Sequence, residues 1–268
     1  MGDLIIAVHL IYLISFIILK PLGTILNFDK LLQNPLEPAQ LTQLWHGYHQ
    51  HLTGGTGRGY LSAVIPRDTY EQMLSVAQKY PQFVVPLPRE AALVEGDKAD
   101  GASEGETKPC EFFFMEWGFH DTPPEPRAAA SVIDDLVNNP GTPGQSTNTN
   151  PQILTVLFTP LGEYKLRNTF ATPHLVLTFY TDLARTHGLV LLRGEITPGS
   201  GATDGGDARY LLSQLDAQAL AMSMQKFYLW SKLKAGGETV ADDPRSMLVK
   251  TFHEDPANFK WEDLLKHA

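Results

Sequence analysis

Residues Ile153–Ile196 read ILTVLFTPLGEYKLRNTFATPHLVLTFYTDLARTHGLVLLRGEI. Three apolar runs lie in this stretch: Ile153–Phe158, His174–Tyr180 and Gly188–Ile196. They are rich in branched and aromatic residues, which fit a pleated, half-buried surface, and the connections between them are short. Outward from this core the same chemistry recurs in Tyr60–Pro66 (YLSAVIP), Phe83–Leu87 (FVVPL) and Glu111–Phe119 (EFFFMEWGF).

Helical spacing appears elsewhere. Pro38–His51 carries Leu41, Leu44, Trp45 and Tyr48, and Asp68–Tyr80 carries Tyr70, Met73, Leu74 and Ala77. The longest candidate, Asp207–Trp230, has one stripe of Leu212, Leu215, Ala219 and Met222 and a second of Leu220, Met224 and Phe227. Near the end, Asp255 is suited to cap a helix with Pro256 at its first position. Strict alternation of strand and helix would predict a parallel sheet. The order here is helix, strand, helix, several strands, then helices, which predicts α+β: a single domain with a mostly antiparallel sheet of about six strands packed by helices. The domain is expected over residues 22–268.

Two stretches read as insertions. Residues 90–109 are acidic, with Gly, Ala and Ser between the charges, and residues 121–151 are rich in Pro, Gly, Asn and Thr. Neither holds enough apolar surface to offset its ordering entropy, so both are expected to be mainly disordered loops. Residues 1–21 form a separate apolar segment. Leu4–Leu19 is apolar except for His9 and Ser15, slightly short of the ~20 residues a membrane span needs. It lacks the pattern of a secretory signal or transit peptide. An anchor, a buried helix and a misread start all fit it.

The chain has 268 residues, enough for one sizeable core. Its 21 Lys and Arg stand against 30 Asp and Glu, giving a net charge of −9. Such a surface repels phosphate backbones, so nucleic acid is not an expected partner. The lone Cys110 excludes an intramolecular disulfide and a cysteine-rich zinc site.

Catalytic patterns are sparse. Gly54, Gly55, Gly57 and Gly59 follow a helix and precede a strand, the reverse of a phosphate-binding turn, and read as a flexible connection. His46, His49 and His51 have no nearby Asp, Glu or Cys to complete a metal shell, and read as a solvated face. No Gly-x-Ser-x-Gly elbow is present. Asp134/Asp135 and Asp242/Asp243 lie in polar connectors. The richest polar cluster runs from Glu163 to Glu195: Glu163, Tyr164, Lys165, Arg167, His174, Tyr180, Asp182, Arg185, Arg193 and Glu195. A small-molecule hydrolase would make these a cleft, with Asp182 or His174 as base. The plainer reading is cross-strand ion pairs and capping.

The same region resembles the signature stretch of the mitochondrial ATP synthase F(1) complex assembly factor 1 family. LGTILNFDKLLQNPLEPAQLTQLWHGYH, YLSAVIPRDTYEQMLSVAQKYPQFVVPLPRE and FFFMEWGF resemble the family's opening helix, strand–helix–strand unit and next strand. The resemblance covers residues 22–89, 110–119 and 152–267. It implies a non-enzymatic chaperone without cofactors, acting in the mitochondrial matrix. The implied partner is the unassembled β subunit of the F(1)-ATPase, kept from aggregating until the α subunit replaces it. Candidate partner-binding residues are Tyr164, Lys165, Arg167, His174, Asp182 and Arg193 of the signature, and Met222, Met224 and Phe227 on the long helix. A holdase of this kind is expected to show an exposed apolar patch rimmed by polar residues. Membrane contact is expected only if residues 4–19 form an anchor.

Overall fold

A computed structural model describes residues 19–33, 36–89, 109–124, 126, 150–167, 171–199, 210–230 and 243–267. The expectations for the apolar segment before residue 19 and for most of the two insertions lie outside the described residues. A short turn of 3-10 helix (Leu22–Thr24) precedes α1 (Phe28–Gln33) and α2 (Pro38–Leu52). Then come β1 (Tyr60–Pro66), α3 (Arg67–Lys79) and β2 (Gln82–Pro88). The next elements are β3 (Cys110–Phe119), β4 (Leu154–Pro160), α4 (Leu161–Arg167), β5 (Leu175–Tyr180), α5 (Ala184–His187) and β6 (Leu189–Ile196). The chain closes with α6 (Gln214–Tyr228), α7 (Pro244–Glu254), a second 3-10 turn (Pro256–Asn258) and α8 (Glu262–Leu265).

The strands form one six-stranded sheet in the order β1-β6-β5-β4-β3-β2, and every neighbouring pair is antiparallel. This is the α+β architecture expected, and all six strand runs pair as strands. The consecutive strands β1 and β2 occupy opposite edges, because α3 carries the chain across one face between them.

Alternation along each strand sorts the side chains between two faces. On one, Phe83, Val85, Phe113, Met115, Trp117, Val156, Phe158, Leu177, Phe179 and Leu192 meet Tyr70, Met73 and Ala77 of α3 and Leu220, Met224 and Phe227 of α6. On the other, Leu41 and Trp45 of α2, with Leu22, Leu26 and Leu31, pack on Tyr180, Leu183 and Leu191. The Trp45 indole N–H donates to the Leu192 carbonyl at 2.9 Å, so the buried ring also satisfies its polar atom. Gly194 sits where β1, β6 and β5 crowd: a Cβ there would lie 2.8 Å from Leu61 Cβ and 2.9 Å from Leu177 Cδ2.

Several local expectations are corrected. α6 starts at Gln214 rather than near Asp207, where Ser213 Oγ accepts from Asp216 N–H at 3.1 Å and caps the helix. The stripe of Leu220, Met224 and Phe227 turns to the core, while Leu215 and Met222 face outward at 76% and 57% exposure. Asp243 is no connector residue: its Oδ1 accepts from Arg245 N–H at 3.1 Å and caps α7, with Pro244 at the first position. Asp255 opens only the three-residue 3-10 turn and makes no side-chain cap. The linker LGEYKLR folds as α4 between β4 and β5. Gly54, Gly55, Gly57 and Gly59 all have positive φ, as a turn reversing the chain from α2 into β1 requires.

Candidate functional site

Two arrangements would mark a site in this fold: convergent polar residues in the signature stretch, or an exposed apolar surface.

The signature residues do not converge. His174 precedes β5 and Asp182 follows it, roughly 25 Å apart at about 3.3 Å per extended residue. His174 Nε2 lies 3.4 Å from Glu163 Oε1, and its edge meets the Phe113 ring. Burial lowers the imidazole's pKa, outweighing the nearby Glu163 carboxylate, which raises it. Asp182 is 8% exposed, and its Oδ2 has no hydrogen-bond partner. Burial pushes this carboxyl up to about 6. Its main-chain carbonyl accepts from Asn150 Nδ2 at 3.2 Å, which ties the turn after β5 to the chain entering β4.

Arg193 lies mid-strand on the sheet face that carries α2. Its guanidinium sits 5.0 Å over the Tyr60 ring. Its Nε lies 2.7 Å from Glu195 Oε1, and its buried Nη1 has no acceptor. Tyr164, Lys165 and Arg167 occupy α4, where the Tyr164 ring stacks on Phe114 with centroids 4.5 Å apart. Lys165 and Arg167 are exposed, and Leu166 between them is 85% exposed. Thus Tyr164, Lys165 and Arg167 share one surface, His174 touches its rim through Glu163, and Asp182 and Arg193 are buried elsewhere. A hydrolase cleft built on these groups is not present. No group of three or more His, Cys, Asp or Glu residues among those described is placed to hold a metal.

Of the three candidates on the long helix, only Met222 reaches the surface. Met224 is only 3% exposed, within the lining of a groove, and Phe227 is fully buried and not available to a partner in this fold. The physical reason is the helix's two apolar stripes: packing chose the one with Phe227, which fills the space against Phe83 at a centroid distance of 5.1 Å. Of the other stripe, Leu215 and Met222 are exposed, Ala219 is half-buried and Leu212 is buried; with the exposed Leu211 just ahead of the helix they leave a patch among Gln214, Gln218 and Gln225.

This patch adjoins a groove of about 770 Å³ that runs along β1. β1 forms the floor. His46, His49 and Gln50 of α2 line one side, and Gln218, Ala221 and Met222 of α6 line the other. Among the described residues, no Asp, Glu, Lys or Arg lines it. His49 corrects the expectation of a solvated face: it is 3% exposed among Trp45, Tyr48 and Tyr60. Its Nδ1 bonds the Trp45 carbonyl at 2.8 Å, and burial lowers its pKa, so the ring is neutral. His46 does face out, bonding Ser62 Oγ at 2.7 Å. Of the candidate residues taken from the signature stretch and the long helix, Met222 and Met224 line this groove.

The family model described as ATP11 protein matches residues 17–265. "Protein atp11, mitochondrial" of Schizosaccharomyces pombe is 29% identical over 210 residues, covering 78% of this chain and 51% of that protein. "ATP synthase mitochondrial F1 complex assembly factor 1" of Danio rerio is 24% identical over 241 residues, covering 90% of this chain and 53% of its own length. The chain therefore spans about half the length of the curated relatives it matches.

Proposed function

We propose that this chain, which belongs to the ATP11 protein family, is a chaperone for assembly of the mitochondrial ATP synthase. In this reading it binds the unassembled β subunit of the F(1) sector in the mitochondrial matrix and holds it until the α subunit takes its place. The observation that carries it is the family match from residue 17 to residue 265, which takes in the whole sheet and its helices. One relative is named as a mitochondrial protein and another as an F1 assembly factor.

The geometry supports a holdase. A free subunit exposes apolar surface that it would bury in its final complex. Covering that surface reversibly calls for apolar side chains that repack easily, and Leu215 and Met222 on α6 supply them. The net charge of −9 keeps the loaded chaperone dispersed. Neither catalysis nor a cofactor is required.

The test is direct. The F(1) β subunit is diluted from denaturant with and without an equimolar amount of the chain, and turbidity is followed. The chain is expected to hold β in a soluble complex, and added α subunit to displace it. Aggregation of β at an unchanged rate overturns the reading.

A further inference from the structure

The two edges of the sheet are finished differently. In β1, Ile196 N–H donates to the Gly59 carbonyl and Arg67 N–H to the Gly188 carbonyl, both at 2.9 Å. The odd positions of β1 therefore bond to β6, and the even positions, Tyr60, Ser62, Val64 and Pro66, turn their main-chain groups outward. Gln214 Nε2 covers the Tyr60 carbonyl at 2.6 Å. Ser62 and Val64 keep an N–H and a C=O each with no partner among the described residues. In β2 the outward positions are Gln82, Val84, Pro86 and Pro88. Two of these have no N–H to offer, and His253 Nε2 bonds the Gln82 carbonyl at 2.5 Å.

We infer that the β1 edge is a binding site for an extended segment of the client protein, which adds to the sheet as a seventh strand through Ser62 and Val64. The inference rests on the chaperone reading and names the site within it. Sheet edges left open in native proteins pair with other chains, which is why most are blunted by proline, charge or cover. β2 is blunted by Pro86 and Pro88, whereas β1 has an outward proline only at its last residue, Pro66, and is open at Ser62 and Val64 among the described residues.

The groove specifies the occupant. A strand laid beside β1 alternates its side chains between two walls. The α6 wall mixes Ala221, Met222 and Met224 with Gln214, Gln218 and Gln225; the α2 wall carries His46, His49 and Gln50. With no full charge along the lining, a charged side chain would be desolvated there without a counter-ion. The fitting segment is therefore uncharged, with small apolar and neutral polar side chains. A second copy of this chain fits poorly, because its own β1 is flanked by its own α2 and α6, which would collide with the same two helices here.

Amide hydrogen exchange and client binding test this on the full chain, with purified F(1) β subunit and, separately, F(1) α subunit as probes. In the complex, the Ser62 and Val64 amides are expected to exchange at least roughly tenfold more slowly, while the Val84 amide on the other edge is unchanged. Val64→Pro removes an outward N–H that β6 does not use, so the fold is retained and client affinity falls roughly tenfold. Ala221→Trp fills the groove from the α6 side, leaves the β1 main chain unaltered in sequence and gives the same loss. Retention of client by both variants, with no protection at positions 62 and 64, overturns the edge site and leaves the chaperone reading standing. Failure of the parent chain to hold either subunit overturns the chaperone reading, and the site with it. Protection of the two amides that rises with the concentration of the chain alone makes the occupant a second copy and overturns the client assignment.

Discussion

The strands YLSAVIP and QFVVPLP have the same length and flank the same helix, yet they end the sheet in opposite ways. One edge places prolines where ladder donors would point, and a histidine from α7 covers a remaining carbonyl. The other leaves the N–H and C=O of Ser62 and Val64 without a partner among the described residues, in a groove that no described charged residue lines. Composition does not separate the two strands, since both are apolar. The number and placing of the prolines do: β2 has outward prolines at 86, within the strand, and at 88, whereas the one outward proline of β1, Pro66, is its last residue.

Four substitutions break or sharpen this contrast. The largest effect is expected from Trp45→Ala, which removes the ring that holds α2 against the open edge and its bond to Leu192. It should cost about 3–5 kcal/mol in urea unfolding, whereas Trp45→Phe should cost far less. Gly194→Val comes next. Its side chain would strike Leu61 of β1 and Leu177 of β5, costing about 1–3 kcal/mol and loosening the open edge from the sheet.

Asp182→Asn should act the other way. The buried carboxyl has a folded pKa raised to about 6 from 3.8, so the fold favours its protonated form. Its contribution is fully present below pH 3.8 and is lost as pH rises through about 6. At pH 7.5 the Asn variant should therefore be more stable by on the order of 1–2 kcal/mol. The difference between variant and parent should shrink as pH falls towards 4, read from paired melts across pH. A pH-independent difference would contradict the burial assigned to this group. The smallest effect on stability is expected from replacing Pro86 and Pro88 together by Ala, about 1 kcal/mol or less. Sedimentation should nonetheless reveal new self-association, because the blunted edge regains its N–H groups.

The sheet was largely legible from sequence because six runs of branched and aromatic residues have strand chemistry that needs no tertiary context. The helices were legible only in part. α4 spans two turns, too little for a periodic signal to stand out. α7 was hidden although Asp243–Pro244 is a recognisable cap followed by a first-turn proline, because the charged pair Asp242/Asp243 drew attention as a connector. The two stripes of α6 are equally apolar, so only packing against Phe83 and Trp117 decides which is core. The groove was not legible, because a strand becomes an edge only once non-local pairing fixes the strand order. His49 reads polar in sequence, and its burial depends on three aromatic neighbours, two of them on its own helix.

The placement of β1 and β2 at opposite margins, joined by α3, also dictates a timetable. A nascent chain releases residues 60–66 first, but their only ladder partner, residues 189–196, is synthesised much later. Until then the early strand has nothing to zip against, and a fragment ending after β4 is left with both β1 and α3 stranded. The late segments β4, β5 and β6, which pair in succession, supply the local nucleus, and the first-made strand is the last to be enclosed.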